Sequence, residues 1–362
     1  MEKQNQYFLT VVFHPGETLA EKLEEMDMGP KEFALRTGKP EKTIIAVLKG
    51  DSAITADMAI QFEQVTKIPA HFWMNHQRHY DEYIAREKRQ SIIKEAVPWA
   101  KQFPLAEMIK KGWLPQVSTI QEKAAEMLSF FGFAQHNAWE EYYFKQQLKV
   151  AFRISLSQTK EPYTISAWLR KGELQAAQLE AASFSEKNFK EALSKLKTIM
   201  AIHSNDFFNQ LQHVCLEAGV KVVYTPCLDK APIKGATRWL NDTPFIQLTD
   251  RYNRNDHFWF TFFHEAGHIL LHGKKDIFLE NLDYSVKDLE KEKEADAFAV
   301  KWTLSIDEEA KLIAALPLNE NDISNFAKQF NTNPAVIIGR LQDKKLIPLT
   351  LGTQYFEPVI FE

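Results

Sequence analysis

Cysteine is scarce in this chain: 362 residues hold two, Cys215 and Cys227, and neither sits in a CxxC pair. That excludes a disulfide-stapled secreted scaffold and makes a reducing cytoplasm the expected location. Long apolar runs are missing too. No stretch approaches the roughly 18 residues a membrane helix needs, so no membrane association is expected. The opening MEKQNQYFLT has neither an apolar core nor a basic flank, so no secretory leader is expected. There are no internal repeats and no low-complexity tracts. Net charge is only −4, which excludes a protein that coats nucleic acid non-specifically but not a small DNA-reading module. What is present is an ordinary globular mixture, 45% hydrophobic and 25% charged. Its 26 phenylalanines imply a Phe-rich core. The length exceeds what one core usually serves, so two or three domains are expected.

Punctuation along the chain suggests four segments. Residues 1–90 read as five short helices, and residues 91–200 as longer amphipathic helices separated at Pro98, Pro104, Pro115 and Pro162. Residues 201–312 mix strand-like and helical patterns, and residues 313–362 hold a helical pair and an apolar tail. The expected fold class is therefore α+β, mostly α, with one small β-sheet.

In the first segment, Leu19, Leu23 and Met26 recur at helical spacing. Pro30 opens a second helix that Gly38 stops; Pro40 opens a third, closed by Gly50. Thr55 is a candidate N-cap for a fourth helix, and Pro69 opens a fifth. Two short helices joined by a tight glycine-containing turn fit a helix-turn-helix, with residues 41–49 as the recognition helix. Lys42 and Thr43 would then reach DNA, flanked by Lys39 and Lys49. A plain five-helix bundle fits the spacing equally well. Charge favours the bundle, because residues 1–90 carry 12 Lys/Arg against 14 Asp/Glu and a module that binds DNA by neutralising phosphates would normally be more basic.

The motifs HPGETLAEKLEEM (14–26), KEFALRTG (31–38), LKG (48–50), ITADMAIQFEQV (54–65) and FWMNHQRHYDEY (72–83) decide between the two. Residues 14–86 resemble the HigA-type antitoxin branch of the XRE helix-turn-helix family. The resemblance implies a homodimer that reads a palindromic operator. Where that family usually opens the second helix with Ser-Gln, this chain has Gly29-Pro30.

A second motif is HEAGH at 264–268. Positions i and i+4 of a helix stand one above the other, about 6 Å apart along the axis. His264 and His268 can therefore converge on one zinc, with Glu265 facing the water beside it, in an HExxH arrangement. The flanking FWFTFF and ILL bury this helix, where uncompensated His and Glu would be costly. A catalytic zinc needs a third protein ligand. His272 lies about 12 Å along the axis from His264, too far to share the ion, and reads as a helix-terminal polar residue. Position 274, where a metzincin carries its third histidine, is Lys. Downstream, Glu292 and Asp296 share a helix face, 24 residues and more beyond His268. Glu292 is the preferred ligand, with Asp296 orienting a ligating histidine; Glu294 is the competitor on another face.

The stretches FTFFHEAGHILLHG (260–273) and EKEADAFA (292–299), preceded by GVKVVYTPCL (219–228) and GATRWLNDTPFIQLTDR (235–251), resemble the ImmA/IrrE family of zinc metallopeptidases. The resemblance implies a zincin-like (gluzincin) core. An edge strand near Ala236–Leu240 would pair with a peptide substrate. Glu265 would act as general base, and His257, Arg254, Tyr252 and Tyr284 are candidates to stabilise an oxyanion. Manganese or iron would also suit a His/His/Glu donor set. The helical pair at 319–347 reads as a packing element, with DNA contact as the alternative. Residues 91–200 carry no chemical motif; a helix at 166–182 is expected there, in a connecting domain that touches a partner or covers the site. The expected function is an antitoxin-like DNA-binding regulator whose zinc endopeptidase body cleaves a protein partner, a repressor or toxin. The alternative is a non-catalytic regulator in which the same body senses a ligand or docks a toxin.

Overall fold

A computed structural model of the chain describes residues 12–145, 161–229, 233–251, 253–273, 278–279 and 286–360. The chain divides into two compact units, Met1–Glu95 and Ala96–Glu362. The fold is mostly helical with one small mixed sheet, an α+β arrangement.

The first unit holds α1 (Pro15–Glu25), α2 (Pro30–Thr37), α3 (Glu41–Leu48), α4 (Ala56–Thr66) and the start of α5 (Ala70–Ala100). The caps follow from the sequence. The His14 ring accepts from the Gly16 N–H, and Thr55 accepts from the Met58 N–H. Leu19, Phe33, Ile44, Val47, Phe62 and Trp73 are completely buried and form one core. Within it Phe62 stands edge-on to Trp73, with ring centroids 6.0 Å apart.

The fifth helix departs from expectation. It neither ends near residue 90 nor breaks at Pro98, but runs 31 residues through that proline. Pro98 falls in the last turn, where it removes the N–H that the Lys94 carbonyl would accept and crowds that carbonyl, a cost confined to the helix's final turns. Burial of Ala96, Trp99 and Ala100 holds that turn in place.

The second unit continues with α6 (Leu105–Lys110), α7 (Ile120–Phe131), the single turn α8 (Asn137–Glu140), α9 (Pro162–Ala176), α10 (Glu186–Ile202) and α11 (Phe207–Glu217). Strands β1 (Lys221–Tyr224), β2 (Gly235–Leu240) and β3 (Thr243–Leu248) follow. Then come α12 (Asn255–His272), the two-residue β4 (Phe278–Leu279), α13 (Val286–Thr303), α14 (Ile306–Ala314), α15 (Glu320–Phe330) and α16 (Pro334–Asp343). The sheet order is β1-β3-β2-β4, with β1 parallel to β3 and the other neighbours antiparallel. The two-residue turn Asn241–Asp242 joins β2 to β3, with Asn241 left-handed at φ 57°. The expected edge strand is therefore covered in part, because β4 pairs with β2 at Ala236 and Thr237.

Side chains alternate across β2, so Thr237 faces α12 while Arg238 faces α9. The α9 face is held by a buried polar network. Arg238 donates to Glu173 at 2.7 Å and to the Leu169 carbonyl at 2.6 Å, and Gln247 donates to the Trp168 carbonyl at 2.7 Å. That helix is shorter than expected, ending at Ala176, and Thr164–Leu169 are buried throughout. The expected amphipathic helix has no exposed residue over 162–176, and two of its carbonyls, of Trp168 and Leu169, accept from Gln247 and Arg238 of the sheet. The helical pair α15–α16 packs Ile323, Phe330, Ile337 and Leu341 into the same core as Phe258, Phe262 and Phe263 of α12. Both cysteines are free thiols, and burial pushes Cys215 far above the usual thiol range.

Candidate metal centre

Helix α12 supplies half of the site. Its 3.6-residue period stacks His264 and His268 on one face, and the two Nε2 atoms stand 3.0 Å apart. Helix α13 supplies the other half. Small residues let the two helices approach: Ala266, Ala295 and Ala299 are fully buried between them. Gly267 faces Phe298, where an added Cβ would sit 3.2 Å from that ring. The approach brings Glu292 Oε2 to 3.2 Å from His264 Nε2 and Oε1 to 3.6 Å from His268 Nε2. The three donor atoms lie within 4.8 Å of one another.

This donor set fits a divalent cation. Donors around one tetrahedral zinc are about 3.3 Å apart, given bonds of about 2.0–2.1 Å. Asp296 Oδ1 lies 2.9 Å from His264 Nδ1. A carboxylate only accepts, so Nδ1 carries the proton and Nε2 presents a lone pair. Burial, then the neighbouring imidazoles His264 and His272 and the Lys291 ammonium, hold His268 well below the ordinary imidazole range. It is therefore a neutral ring with a lone pair to offer. Glu292 Oε1 is buried and makes no hydrogen bond. Lone pairs and a carboxylate facing each other in a buried space are repulsive unless a cation sits between them.

Glu265 is fully buried beside the histidines. Thr237 donates to its Oε2 at 2.6 Å and is also 3.0 Å from its backbone carbonyl. Opposite Oε1 lies Gly235, where a Cβ would come within 2.6 Å of that oxygen. Thr237 and Gly235 escaped sequence reasoning as site residues. Their one signal was membership of the strand preceding the histidine motif. His272 is likewise more than a terminal polar residue: its Nδ1 lies 3.0 Å from His268 Nδ1 and its Nε2 lies 2.8 Å from Glu294 Oε2. Glu294, the competitor for the metal, thus lies against His272.

Of the oxyanion candidates, Arg254 grips Asp256 with two bonds of 3.0 and 2.6 Å and lies over the Phe356 ring. His257 is exposed two turns before His264 on α12. Tyr252 and Tyr284 lie outside the described residues. In the first unit, Lys42 and Lys49 are exposed on and just beyond α3, and Thr43 is half-buried. Lys39 is paired with Asp57 of α4.

Residues 215–342 match the IrrE N-terminal-like domain of peptidase family M78. Among solved structures, the chain is similar to an addiction module antidote protein of a HigA family from Coxiella burnetii, at 34% identity over 23% of this chain and 92% of that one, with TM-score 0.22. It is similar also to the Pseudomonas aeruginosa antitoxin HigA with higBA promoter, at 31% identity over 24% of this chain and 94% of that one, with TM-score 0.23. No curated protein matches the chain.

Proposed function

Residues 215–342 being an IrrE N-terminal-like domain of peptidase family M78, we propose that the chain is a DNA-binding, antitoxin-like regulator whose body is a metal-dependent endopeptidase. His264, His268 and Glu292 hold the ion, zinc by preference for this donor set. Bound there, a divalent ion supplies Lewis acidity toward a scissile carbonyl and acidifies water. The protein's own groups do the rest. Asp296 orients His264. Thr237 occupies one oxygen of Glu265 and leaves the other, opposite Gly235, to accept the water proton and pass it to the leaving amine. The substrate is a protein partner, a repressor or a toxin. The head reads a palindromic operator as a homodimer, through Lys42, Thr43 and Lys49 on and beside α3.

The convergence of His264, His268 and the Glu292 carboxylate next to a hydrogen-bonded glutamate is the observation that carries this reading. N-terminal proteomics of cells expressing the wild-type chain or Glu265→Gln tests it. New protein N-termini should appear with the wild type and vanish in the variant, while zinc content stays the same. Identical profiles would leave the binding reading in possession. One observation favours that second reading: His264, Glu265 and His268 are each at most 2% exposed, as in a sensing module that docks a partner without cleaving it.

A further inference from the structure

The metal centre carries a directional chain of hydrogen bonds behind one of its histidines. It begins at the surface. The Glu294 side chain is 63% exposed and lies 2.8 Å from His272 Nε2, whereas the His272 side chain is only 4% exposed. The other His272 nitrogen lies 3.0 Å from His268 Nδ1. His268 Nε2 completes the chain, facing His264 Nε2 and the Glu292 carboxylate.

With His272 neutral and a cation in the site, one proton arrangement satisfies every link. A carboxylate accepts and cannot donate, so His272 carries its proton on Nε2. A neutral imidazole then has its lone pair on Nδ1. That lone pair needs a donor, and the nearest is His268 Nδ1–H. His268 is thereby left with its lone pair on Nε2, the atom aimed at the donor set. The opposite tautomer of His268 would set two lone pairs 3.0 Å apart against His272 and point a proton into the metal site. Both faults would lie in a buried space, where an unmade hydrogen bond is costly.

We propose that His272 and Glu294 are positioning residues for the metal centre, a two-step relay that fixes the tautomer and orientation of His268. The proposal rests on the metal reading above and extends it to residues that are not ligands. Asp296 does the same for His264 in one step, with a direct carboxylate. The two ligating rings are thus secured from two sides of α13: Glu294 and Asp296 are two residues apart, about 200° apart around the helix. The i, i+4 spacing that stacks His264 on His268 also stacks His268 on His272, so one helical period builds both the ligand pair and its support.

The test is zinc affinity, measured on the full chain by competition with a chromophoric chelator, and read as a thermodynamic cycle. His272→Phe should weaken binding about 10–100-fold, the usual cost of losing such a partner. Glu294→Ala, at an exposed position with no fold to lose, removes the acceptor and should weaken it several-fold. In the His272→Phe background Glu294→Ala should cost nothing more, because the link between them is gone. His272→Gln, whose amide oxygen can accept from His268, should recover part of the loss. Nitrogen NMR supplies a readout that a merely structural role would not move. In both metal-free and zinc-loaded chains the His268 proton should sit on Nδ1, and His272→Phe should mix the tautomers. Unchanged affinity in Glu294→Ala, additive losses in the double variant, or a His268 tautomer indifferent to His272 would each overturn the relay. Zinc binding that survives His264→Ala would instead overturn the metal centre, and the metal-free nitrogen spectra would still judge the relay.

Discussion

On the proposed reading of Glu265 as the base, Thr237 is the side chain that orients it. Its hydroxyl lies 2.6 Å from the carboxylate and 3.0 Å from the same residue's carbonyl, inside a fully buried site. Thr237→Val keeps the shape and removes the donor. The carboxylate then loses the bond that orients it, so peptide cleavage should drop by one to two orders of magnitude, a rise of about 1.4–2.7 kcal/mol in the barrier, in kcat rather than KM. Zinc affinity should not change, since Thr237 touches no donor atom. A parallel loss of zinc would mean that the residue supports the helix and not the base. Gly235→Ala should be harsher: its Cβ would come within 2.6 Å of Glu265 Oε1 and 2.8 Å of Thr261 Cγ2, both in buried surroundings. It should abolish cleavage and lower stability in a urea titration by about 1–3 kcal/mol. At this scale the sequence is legible where contacts are local. His264 and His268 meet because one helical turn separates them, and Glu292 and Asp296 share a face for the same reason. Thr237 and Gly235 lie 27 residues or more before the histidines. No periodicity reaches across that gap; only the packing of β2 on α12 brings them in.

Helix ends and helix surfaces carry two further expectations. His203 caps α10 in the left-handed region at φ 44°, and its Nδ1 accepts from the Trp259 indole at 3.0 Å. Burial pushes its pKa down to about 4. The unfolded chain therefore takes up a proton near pH 6.5 that the folded chain refuses until about pH 4. The contribution of His203 is fully present above pH 6.5 and is lost as pH falls toward 4. After screening by nearby water it amounts to about 2 kcal/mol. Urea titrations at about pH 7 and pH 4.5 should show this difference in the wild type. His203→Asn, which tolerates the left-handed cap and can still accept from Trp259, should lack it. On α3, Lys42→Ala and Lys49→Ala should each reduce the slope of log affinity against log salt by about 0.9 if each lysine neutralises one phosphate. Lys39→Ala should change it less, because Asp57 already holds that ammonium. The Lys39 pairing was invisible in the sequence for the same reason as Thr237: its partner sits on a different helix, 18 residues away. Pro98 misled in the other direction, since a proline in a final turn looks in sequence like a boundary.

Across the whole molecule, two cores share no residue. Leu19, Phe33, Phe62 and Trp73 make one, and Phe189, Trp259, Phe262 and Ile337 belong to the other. The candidate metal site lies entirely within the second unit, on helices whose buried faces line that second core. In the sequence the pattern changes from short capped helices to strands followed by an aromatic-rich helix. The docking of α9 on the sheet was not readable, because Arg238, Gln247 and Trp168 are spread over 80 positions and their buried bonds have no sequence period. A ligand that binds only the folded state stabilises it by about 2.7 kcal/mol when present at a hundred times its Kd. For a unit of this size that is a shift of about 5–10 °C in Tm, at about 2–4 °C per kcal/mol. Thermal scans of the zinc-loaded chain with and without a chelator should therefore show two transitions, of which one falls by that amount. The other, belonging to residues before Ala96, should stay in place, and it should reappear at the same temperature in a fragment ending at Glu95. If both transitions fall together, the zinc-linked stability is shared across the boundary that α5 carries, and the head is then energetically coupled to the state of the metal centre.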